Sequence, residues 1–357
     1  MNTMMRTDCR DLNQEELIRL CSELGLPSFR GRQVFQWVQQ KAIQGWDEMK
    51  NISVLDQKKL QTGLTLQPFT KVKEQVSRDG TRKFLFRCYD GETIECVLMD
   101  YDRLKNRDRH TVCVSTQIGC AVGCSFCATG LGGLRRNLSP GEIVGQVLDI
   151  THIMRQEDPD FQVTNIVFMG MGEPLLNYDP VLKALHLLNH PSGQGIGMRR
   201  MTISTSGVAA KIRRLARDNP QVGLAVSLHS ANNTSRNQLI PMNRRYPLEE
   251  LMAACQEYTE LTNRRITFEI ALISGQATRE AAEEVGQLLK GQLSHVNLIP
   301  VNPVVETGMA RPTAREIQEF AQVLEAMGIP VSVREEKGTD IDAACGQLRR
   351  QVEGEQI

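Results

Sequence analysis

The sequence predicts an α/β fold in which a barrel or open barrel of parallel strands follows a small helical module. From about residue 111, short apolar runs alternate with helical segments, as expected for parallel strands covered on both faces. Before that point, residues 12–62 carry apolar side chains at helical spacing, for example Leu17, Leu20 and Leu24. A chain of 357 residues with 41% hydrophobic content can bury one large core and a smaller one.

Pattern changes along the chain divide it into four predicted segments. These are a helical N-terminal accessory domain (1–65), a β-hairpin linker (66–105), the barrel (106–350) and a short tail (351–357). The hairpin is predicted from two strand-like runs, 82–87 and 93–99, and from the turn signal Asp90-Gly91 between them.

Strands and helices of the barrel are marked by apolar runs and by capping signals. Six strands are predicted at 111–117, 164–169, 200–205, 222–228, 265–272 and 295–300, with a last one near 330–334. Ser139–Glu142 and Thr313–Glu316 are capping boxes, and Asp179-Pro180 opens a third helix. In such folds the chemistry lies where the strands end at their carboxyl side.

Charge and cysteine usage narrow the class of protein. Lys plus Arg and Asp plus Glu number 42 each, so only a local basic patch would indicate a nucleic-acid partner. The sequence has no run of about 18 apolar residues and no signal-peptide pattern, which predicts a cytoplasmic protein without a membrane partner. Ten cysteines in a chain of this length are expected to be thiols, cluster ligands or catalysts.

The most informative motif is a C-x3-C-x2-C loop formed by Cys120, Cys124 and Cys127. Three thiolates on one tight loop suit a [4Fe–4S] cluster and leave its fourth iron open for chemistry. Structural zinc, with Cys113 or His110 as fourth ligand, is the alternative, although no second cysteine pair accompanies the loop. A chance grouping of unliganded cysteines is the third reading.

The cysteine loop resembles that of the radical S-adenosylmethionine (SAM) enzymes, in which SAM binds the open iron. Four polar segments that follow successive predicted strands then become candidates for holding SAM. The candidate SAM-binding residues are Gly172 and Glu173, Ser204, Ser227, Leu228 and His229, and Asn302. Each segment alone is an ordinary polar strand end, and a lone histidine is more often structural; together they fit an elongated ligand that contains adenosine.

Several further motifs closely resemble the RlmN/Cfr family of radical-SAM RNA adenine methyltransferases. They are 113–120, Gly170–Asn177, Ser204–Gly207, Ser227–His229 and 340–348, and the resemblance extends from about residue 12 to 350. It implies a partial (β/α)6 radical-SAM barrel behind an RNA-docking helical domain. The segment Phe29–Gln33 followed by Trp37 resembles the RlmN branch, which methylates adenine C2, more than the Cfr branch, which methylates C8.

The resemblance also implies a mechanism that consumes two SAM molecules per turnover. Cys345 takes a methyl group from the first, and a radical generated from the second activates that methyl group for addition to adenine. Cys113 then resolves the covalent protein–RNA adduct by closing a disulfide with Cys345, and Glu95 matches a proposed proton acceptor. On residues alone, Cys113 and Cys345 are also compatible with ordinary buried thiols and Glu95 with a solvated strand residue.

Partners follow from the same resemblance. They are 23S rRNA and tRNA (3′ of the anticodon), an electron donor such as a flavodoxin-type protein and a thiol reductant, acting on a monomeric enzyme. Arg103–His110 is the first candidate for phosphate contacts because it precedes Cys113 at the expected active-site rim, and Arg30, Arg32, Arg135 and Arg136 are secondary candidates. The alternatives are a radical-SAM enzyme acting on a protein or peptide, and a zinc-stabilised RNA-binding module.

Overall fold

The N-terminal part of the chain forms a small helical module. The computed structural model describes residues 6–101, 109–302, 307–335 and 337–348. The module contains α1 (Gln14–Glu23), α2 (Phe29–Phe35) and α3 (Val54–Gly63), and the parallel strands β1 (Thr7–Asp8) and β2 (Leu64–Thr65) bring its ends together. α1 begins with a capping box in which Asn13 and Glu16 satisfy each other's backbone N–H groups. The helical prediction for residues 12–62 is therefore confirmed.

Three antiparallel strands follow the module. They are β3 (Thr70–Val76), β4 (Arg82–Arg87) and β5 (Thr93–Tyr101). The predicted turn is present, with Gly91 at φ +86°, a conformation that favours glycine. β5 also pairs in antiparallel register with β6 (Arg109–Cys113), the first barrel strand. The predicted hairpin is thus continuous with the barrel sheet and widens it by three strands.

The barrel is built from parallel strands joined through helices. After β6 the parallel strands are β9 (Asn165–Phe168), β10 (Met201–Thr205), β11 (Gly223–Ser227), β12 (Ile266–Leu272), β13 (Ser294–Pro300) and β14 (Val331–Val333), and a separate antiparallel pair is β7 (Gln117–Gly119) and β8 (Leu134–Asn137). The helices are α4 (Ala128–Leu131), α5 (Pro140–Arg155), α6 (Tyr178–Asn189), α7 (Ala209–Asp218), α8 (Asn233–Leu239), α9 (Leu248–Thr262), α10 (Arg279–Leu288) and α11 (Ala314–Ala326).

The main sheet has ten strands and remains open. Its order is β14-β13-β12-β11-β10-β9-β6-β5-β4-β3, so β14 and β3 form the two edges. Side chains from β5 and from the segment after β14 nevertheless line one cavity, since Val97 and Arg334 both border it. The sheet therefore curls into a partial barrel, which confirms the predicted fold class. Among the described residues, no helix is long and apolar enough to span a membrane.

The two faces of the parallel strands differ in polarity. On β10, Met201 and Ile203 are buried, whereas Thr202 and Ser204 are only partly buried. Ser204 lines a cavity inside the barrel, and Thr202 lies on the same face because side chains alternate along a strand. The outer face therefore packs apolar side chains against the helices, while the inner face carries polar groups.

Two element boundaries differ from the sequence prediction. The first barrel strand ends at Cys113 rather than continuing to residue 117, because the backbone N–H of Ser115 donates to the Gln146 side chain, 2.8 Å away, and leaves the ladder. The helix expected to open at Asp179 begins one residue earlier, at Tyr178. The capping boxes at Ser139 and Thr313 are both present.

A buried ion pair attaches the helical module to the barrel. The guanidinium of Arg10 donates to the carboxylate of Asp149 on α5, with Nη1 3.1 Å from Oδ2. The same carboxylate accepts the side-chain amide of Gln44 and the backbone N–H of Phe69. Losing either partner of a buried pair leaves an uncompensated charge, so this contact holds the module in one position.

Candidate active site

Two adjoining cavities lie where the parallel strands end. The larger has a volume of about 160 Å³ and is lined by the cysteine loop (residues 120–127) and by the ends of β9 to β13. The smaller, about 30 Å³, is lined by Cys113 and Arg334 among others. Cys345 borders both cavities. The carboxyl ends of the strands thus bring together the two groups of cysteines that are far apart in sequence.

The cysteine loop is shaped by glycines. Gly123 has φ +70°, and a Cβ on Gly130 would lie 2.9 Å from the backbone nitrogen of Cys124. The chain can therefore fold tightly between β7 and α4, and Cys120, Cys124 and Cys127 all line the larger cavity. The three thiols face one space, as binding to one corner of a cubic cluster requires.

The electrostatics of the loop favour occupation by a cationic group. Burial raises the pKa of Cys120 to about 12, and burial also raises the pKa of Cys124, with further contributions from neighbouring thiols. Metal binding requires thiolates, and iron supplies the positive charge that stabilises them. In the described residues, no three His, Cys, Asp or Glu side chains converge on a point that one metal ion would occupy. A [4Fe–4S] cluster has a different requirement, because each thiolate binds a separate iron.

The Gly-Glu-Pro turn follows β9 at the cavity wall. Gly172 has φ +102°, and a Cβ there would lie 2.6 Å from Cβ of Gln117, so only glycine fits. The buried carboxylate of Glu173 accepts the backbone N–H groups of Leu175 and Ser206, at 3.0 and 2.7 Å, while burial raises its pKa. Glu173 therefore ties the ends of β9 and β10 together in addition to lining the cavity.

The predicted strand ends meet in this cavity. Ser204 and Ser227 line it, and Ser204 Oγ donates to Oε2 of Glu269 on β12, 2.9 Å away. Leu228 differs from the others, because its side chain is fully buried in the core and the residue does not line the cavity. Glu269 was not singled out from the sequence. Its signal was a carboxylate inside the apolar strand 266–272.

His229 is held in an uncommon conformation. Its φ is +58°, its Nδ1 accepts the backbone N–H of Ala271 at 2.9 Å, and its ring contacts Phe126 edge-on at 4.7 Å. Burial lowers its pKa to about 3. The ring is therefore neutral at physiological pH and carries its proton on Nε2, so it can donate a hydrogen bond from that atom.

A buried arginine that the sequence did not indicate braces these strand ends. Arg236 on α8 is fully buried and donates to the backbone carbonyls of Ser206, Ser227 and Leu228, at 2.7, 3.0 and 2.9 Å. A fourth bond, 2.6 Å, joins it to Oδ1 of Asn243. Burial lowers the pKa of Arg236 to about 10. The guanidinium thus fixes two neighbouring strand ends relative to each other.

The segment that carries Cys345, residues 338–348 (the Cys345 loop), is fastened from several sides. Asn302 donates to the carbonyl of Cys345 at 3.3 Å, and the N–H of Ala128 donates to the carbonyl of Gly346 at 2.8 Å. From β4, Lys83 Nζ lies 3.2 Å from the carbonyl of Asp342. The loop is therefore positioned by the first residue of α4, by the segment after β13 and by the antiparallel strands together.

Cys113 and Cys345 are both free thiols and line the smaller cavity. Burial raises the pKa of Cys113 to about 12 and also raises that of Cys345. The guanidinium of Arg334 opposes both shifts, and it lies 3.7 Å from the carboxylate of Glu269. Arg334 is therefore a cationic group of this cavity, which Lys337 also lines, and the sequence did not single Arg334 out.

Glu95 is buried rather than solvated. Its carboxylate lies 3.3 Å from Nζ of Lys83, and its carbonyl accepts the hydroxyl of Ser115 at 2.6 Å. It occupies the β5 position two residues before Val97, which lines the smaller cavity, so both side chains belong to the same face of the strand. Through Lys83 it is linked to the Cys345 loop.

The basic segment expected at the active-site rim lies elsewhere. Most of Arg103–His110 falls outside the described residues, but Arg109 and His110 stand at the amino-terminal end of β6, whereas Cys113 is at its carboxyl end. The rim placement is therefore wrong for these two residues, because the segment precedes the strand that Cys113 ends. Arg30 and Arg136 are engaged in ion pairs, with Asp56 at 2.8 Å and with Glu142 at 2.7 Å.

Comparison with protein families gives two matches. Residues 114–288 match the radical SAM superfamily, and residues 7–66 match the ribosomal RNA large subunit methyltransferase N-terminal domain. The first range contains the cysteine loop and the strand ends up to His229, and the second covers the helical module.

Similar proteins extend over the whole chain. A probable dual-specificity RNA methyltransferase RlmN from Desulfitobacterium hafniense (strain Y51) is 82% identical over 100% of both chains. A probable RlmN from Heliobacterium modesticaldum is 48% identical over 98% of this chain and 91% of its own. The crystal structure of a radical SAM methyltransferase from Sphaerobacter thermophilus superimposes with a TM-score of 0.91 at 47% identity, covering 96% of this chain and 99% of that one.

Proposed function

The chain belongs to the RlmN family of radical-SAM RNA methyltransferases, and we propose that it methylates carbon C2 of adenosine in 23S rRNA and of the adenosine 3′ of the anticodon in tRNA. One observation carries the proposal: Cys345 borders the cavity of the cysteine loop and also the cavity that contains Cys113. A residue that collects a methyl group at one site and delivers it at another needs such a position.

The residues of the larger cavity fit a [4Fe–4S] cluster with SAM beside it. Cys120, Cys124 and Cys127 would hold the cluster. Gly172 lines the same cavity, and its lack of a side chain leaves space there that a Cβ would fill. Ser204, Ser227, His229 and Asn302 would hold SAM with hydroxyl, imidazole and amide groups that line the same space. When bound, the cluster and two successive SAM molecules would supply a methyl group and a 5′-deoxyadenosyl radical.

Cys345 would carry the methyl group as a thioether between the two stages. Its sulfur must first lose a proton, and Arg334 favours the thiolate in a cavity where burial favours the thiol. The hydrogen bond from Asn302 and the contact of Lys83 with the same loop hold the sulfur between the two cavities. Both residues therefore act on the reaction by positioning Cys345.

Cys113 would release the product. After addition to adenine, the transferred carbon is bonded both to the ring and to the sulfur of Cys345. The adduct must then lose its unpaired electron, which the oxidised cluster would accept, and the ring proton, which a base would remove. The thiolate of Cys113 attacks the sulfur, so the S–S bond forms as the C–S bond breaks, and the electron pair of the C–S bond stays on the transferred carbon, which takes up a proton and becomes the methyl group. The resulting disulfide requires two electrons from an external thiol reductant before the next turnover.

Glu95 remains a proposal as the proton acceptor. Its support is its burial on the strand face that lines the smaller cavity, together with its ion pair to Nζ of Lys83, 3.3 Å away. We further propose that a flavodoxin-type protein supplies the electron for SAM cleavage and that the enzyme acts as a cytoplasmic monomer.

Nucleoside mass spectrometry tests the proposed reaction. Unmodified rRNA and tRNA are incubated anaerobically with cluster-reconstituted enzyme, SAM and reductant. We expect 2-methyladenosine in both RNA fractions. 8-Methyladenosine would keep the two-cysteine mechanism and overturn the C2 assignment. Cleavage of SAM without any methylated adenosine would overturn the RNA substrate and favour a protein or peptide target.

A further inference from the structure

The barrel has a second opening at its amino-terminal end, opposite the cysteine loop. A cavity of about 730 Å³ and a neighbouring one of about 380 Å³ share Arg199 and Thr202 in their walls. Five arginines line this opening: Arg109, Arg199, Arg200, Arg264 and Arg265. They begin β6 or directly precede β10 and β12, so they lie at the starts of three strands. We call these five residues and the space between them the arginine mouth.

We propose that the arginine mouth binds the phosphate backbone of the RNA substrate, an inference that rests on the proposed RNA methyltransferase function. Arg199, Arg200 and Arg265 are exposed and Arg264 is half-buried. Within the part of the chain that the structure describes, none of these four guanidinium groups lies within 4.0 Å of a carboxylate. Unpaired guanidinium groups around an open space are suited to bidentate phosphate contacts.

Their grouping is not a result of overall charge. The chain has 42 basic and 42 acidic residues, and other arginines are paired, such as Arg213 with Glu257 at 2.8 Å. Asp100 lies beside the start of β6, near the mouth, but its carboxylate contacts Nδ1 of His110, 3.2 Å away. The arginine mouth therefore concentrates positive charge on an otherwise balanced surface, which attracts a polyanion.

The inner wall of the mouth is polar enough to accept a nucleotide. Thr202 lines both cavities, and Thr267 lines the one of about 380 Å³. Hydroxyl groups can bond to ribose and base edges, whereas a flat protein contact would leave this space unfilled.

An aromatic ring connects the mouth to the catalytic cysteines. The guanidinium of Arg109 lies 4.9 Å from the centroid of the Tyr101 ring, and Nζ of Lys337 lies 5.5 Å from the same centroid. Lys337 in turn lines the smaller cavity with Cys113 and Cys345. Five-residue β6 separates its ends by roughly 13 Å at about 3.3 Å per residue, a distance that an extruded nucleotide can span. Phosphates at the mouth would therefore place an adenosine next to Tyr101, on the way to Cys345.

Fluorescence anisotropy with a labelled, unmodified tRNA transcript tests this surface. The variant R199A/R200A/R264A/R265A is compared with wild type, both cluster-reconstituted, over a range of salt concentrations. We expect the variant to bind RNA at least roughly ten-fold more weakly near 0.1 M salt. The slope of log affinity against log salt concentration should become shallower by about 0.7 to 0.9 for each phosphate that the variant no longer binds. SAM cleavage in the absence of RNA should be unchanged, because these arginines do not line the SAM cavity.

The control is R279A/R315A, which removes two exposed arginines, each paired with a glutamate, from the outer helices α10 and α11 and should leave RNA binding unchanged. Wild-type affinity and salt slope in the quadruple variant would overturn the proposal. A second result would also overturn it: the quadruple variant still binds RNA, and it cleaves SAM with dithionite as the electron source but not with a flavodoxin-type donor. The arginine mouth would then be a docking site for an acidic protein. If the mouth binds RNA but wild type forms no methyladenosine, the docking surface stands and the proposed reaction falls.

Discussion

Replacing Arg236 with methionine should loosen the site from within the barrel. Methionine retains much of the volume of the side chain but removes all four hydrogen bonds that Arg236 donates. Three of these bonds satisfy backbone carbonyls, of Ser206, Ser227 and Leu228, that belong to two adjacent strand ends. The substitution therefore leaves buried acceptors without donors at the wall of the larger cavity.

The size of the effect follows from the opposing contributions. The carbonyl of Leu228 keeps the backbone N–H of Ser230 as a donor, so the acceptors that lose their donor are the carbonyls of Ser206 and Ser227 and Oδ1 of Asn243. Each buried acceptor left unsatisfied costs about 1–3 kcal/mol, so these three cost about 3–9 kcal/mol. Removing the guanidinium also removes its own desolvation cost, which is the cause of the lowered pKa of Arg236. We expect the free energy of unfolding to decrease by about 3–5 kcal/mol, the range for breaking a buried charged network.

Urea unfolding of the cluster-free protein measures this change, and SAM binding by the reconstituted enzyme measures its consequence. Arg213→Met is the control, because Arg213 makes only part-exposed surface pairs and should cost about 0–1 kcal/mol. We expect SAM affinity to decrease roughly ten-fold in R236M and to be unchanged in R213M. A loss of stability below about 1 kcal/mol in R236M, or unchanged SAM affinity in a folded R236M, would contradict the bracing role of Arg236.

Three further predictions concern the cysteines, the cysteine loop and His229. Cys113→Ala should trap a covalent protein–RNA adduct visible as a shifted band on a denaturing gel, whereas Cys345→Ala should form none; free methylated product in normal yield from C113A would disprove the resolving role. Gly130→Ala should lower the iron content per chain after reconstitution, because its Cβ would lie 2.9 Å from the backbone nitrogen of Cys124; full iron loading would show that the loop can move aside. The folded-state pKa of His229 is about 3, below its ordinary value of 6.5. Its contribution to stability is therefore complete above about pH 6.5 and decreases as the pH falls toward 3. His229→Gln should remove that part of the pH dependence of unfolding, and identical pH profiles for the wild type and the variant would contradict this prediction.

Much of the fold was predictable because its signals are local. Apolar runs marked all seven parallel strands of the barrel, and the capping boxes at Ser139 and Thr313 marked two helix starts. Such patterns depend on neighbouring residues, so they can be recognised without knowledge of the partner strands. The prediction for the first strand was too long because the bond from Ser115 to Gln146, 31 residues away, ends the ladder at a point that no local pattern marks.

The candidate site was predictable only in part. The cysteine loop and the strand-end segments were found because their spacing is characteristic, and they do meet in one cavity. Arg236, Glu269 and Arg334 were missed because each is an ordinary residue of a helix or strand in sequence. Their importance comes from burial beside charges and carbonyls contributed by other elements.

By itself, the sequence determined the order of strands and helices and the ligand spacing of the cysteine loop, because both are set by short-range pattern. The tertiary structure alone decided that Cys345 borders two cavities and that it shares one of them with Cys113, which lies 232 positions earlier in the chain. It also decided that Arg109 lies at the far end of the barrel, together with arginines from two other strand starts. The curl of an open parallel sheet sets which distant residues meet, and that curvature is a property of long-range packing.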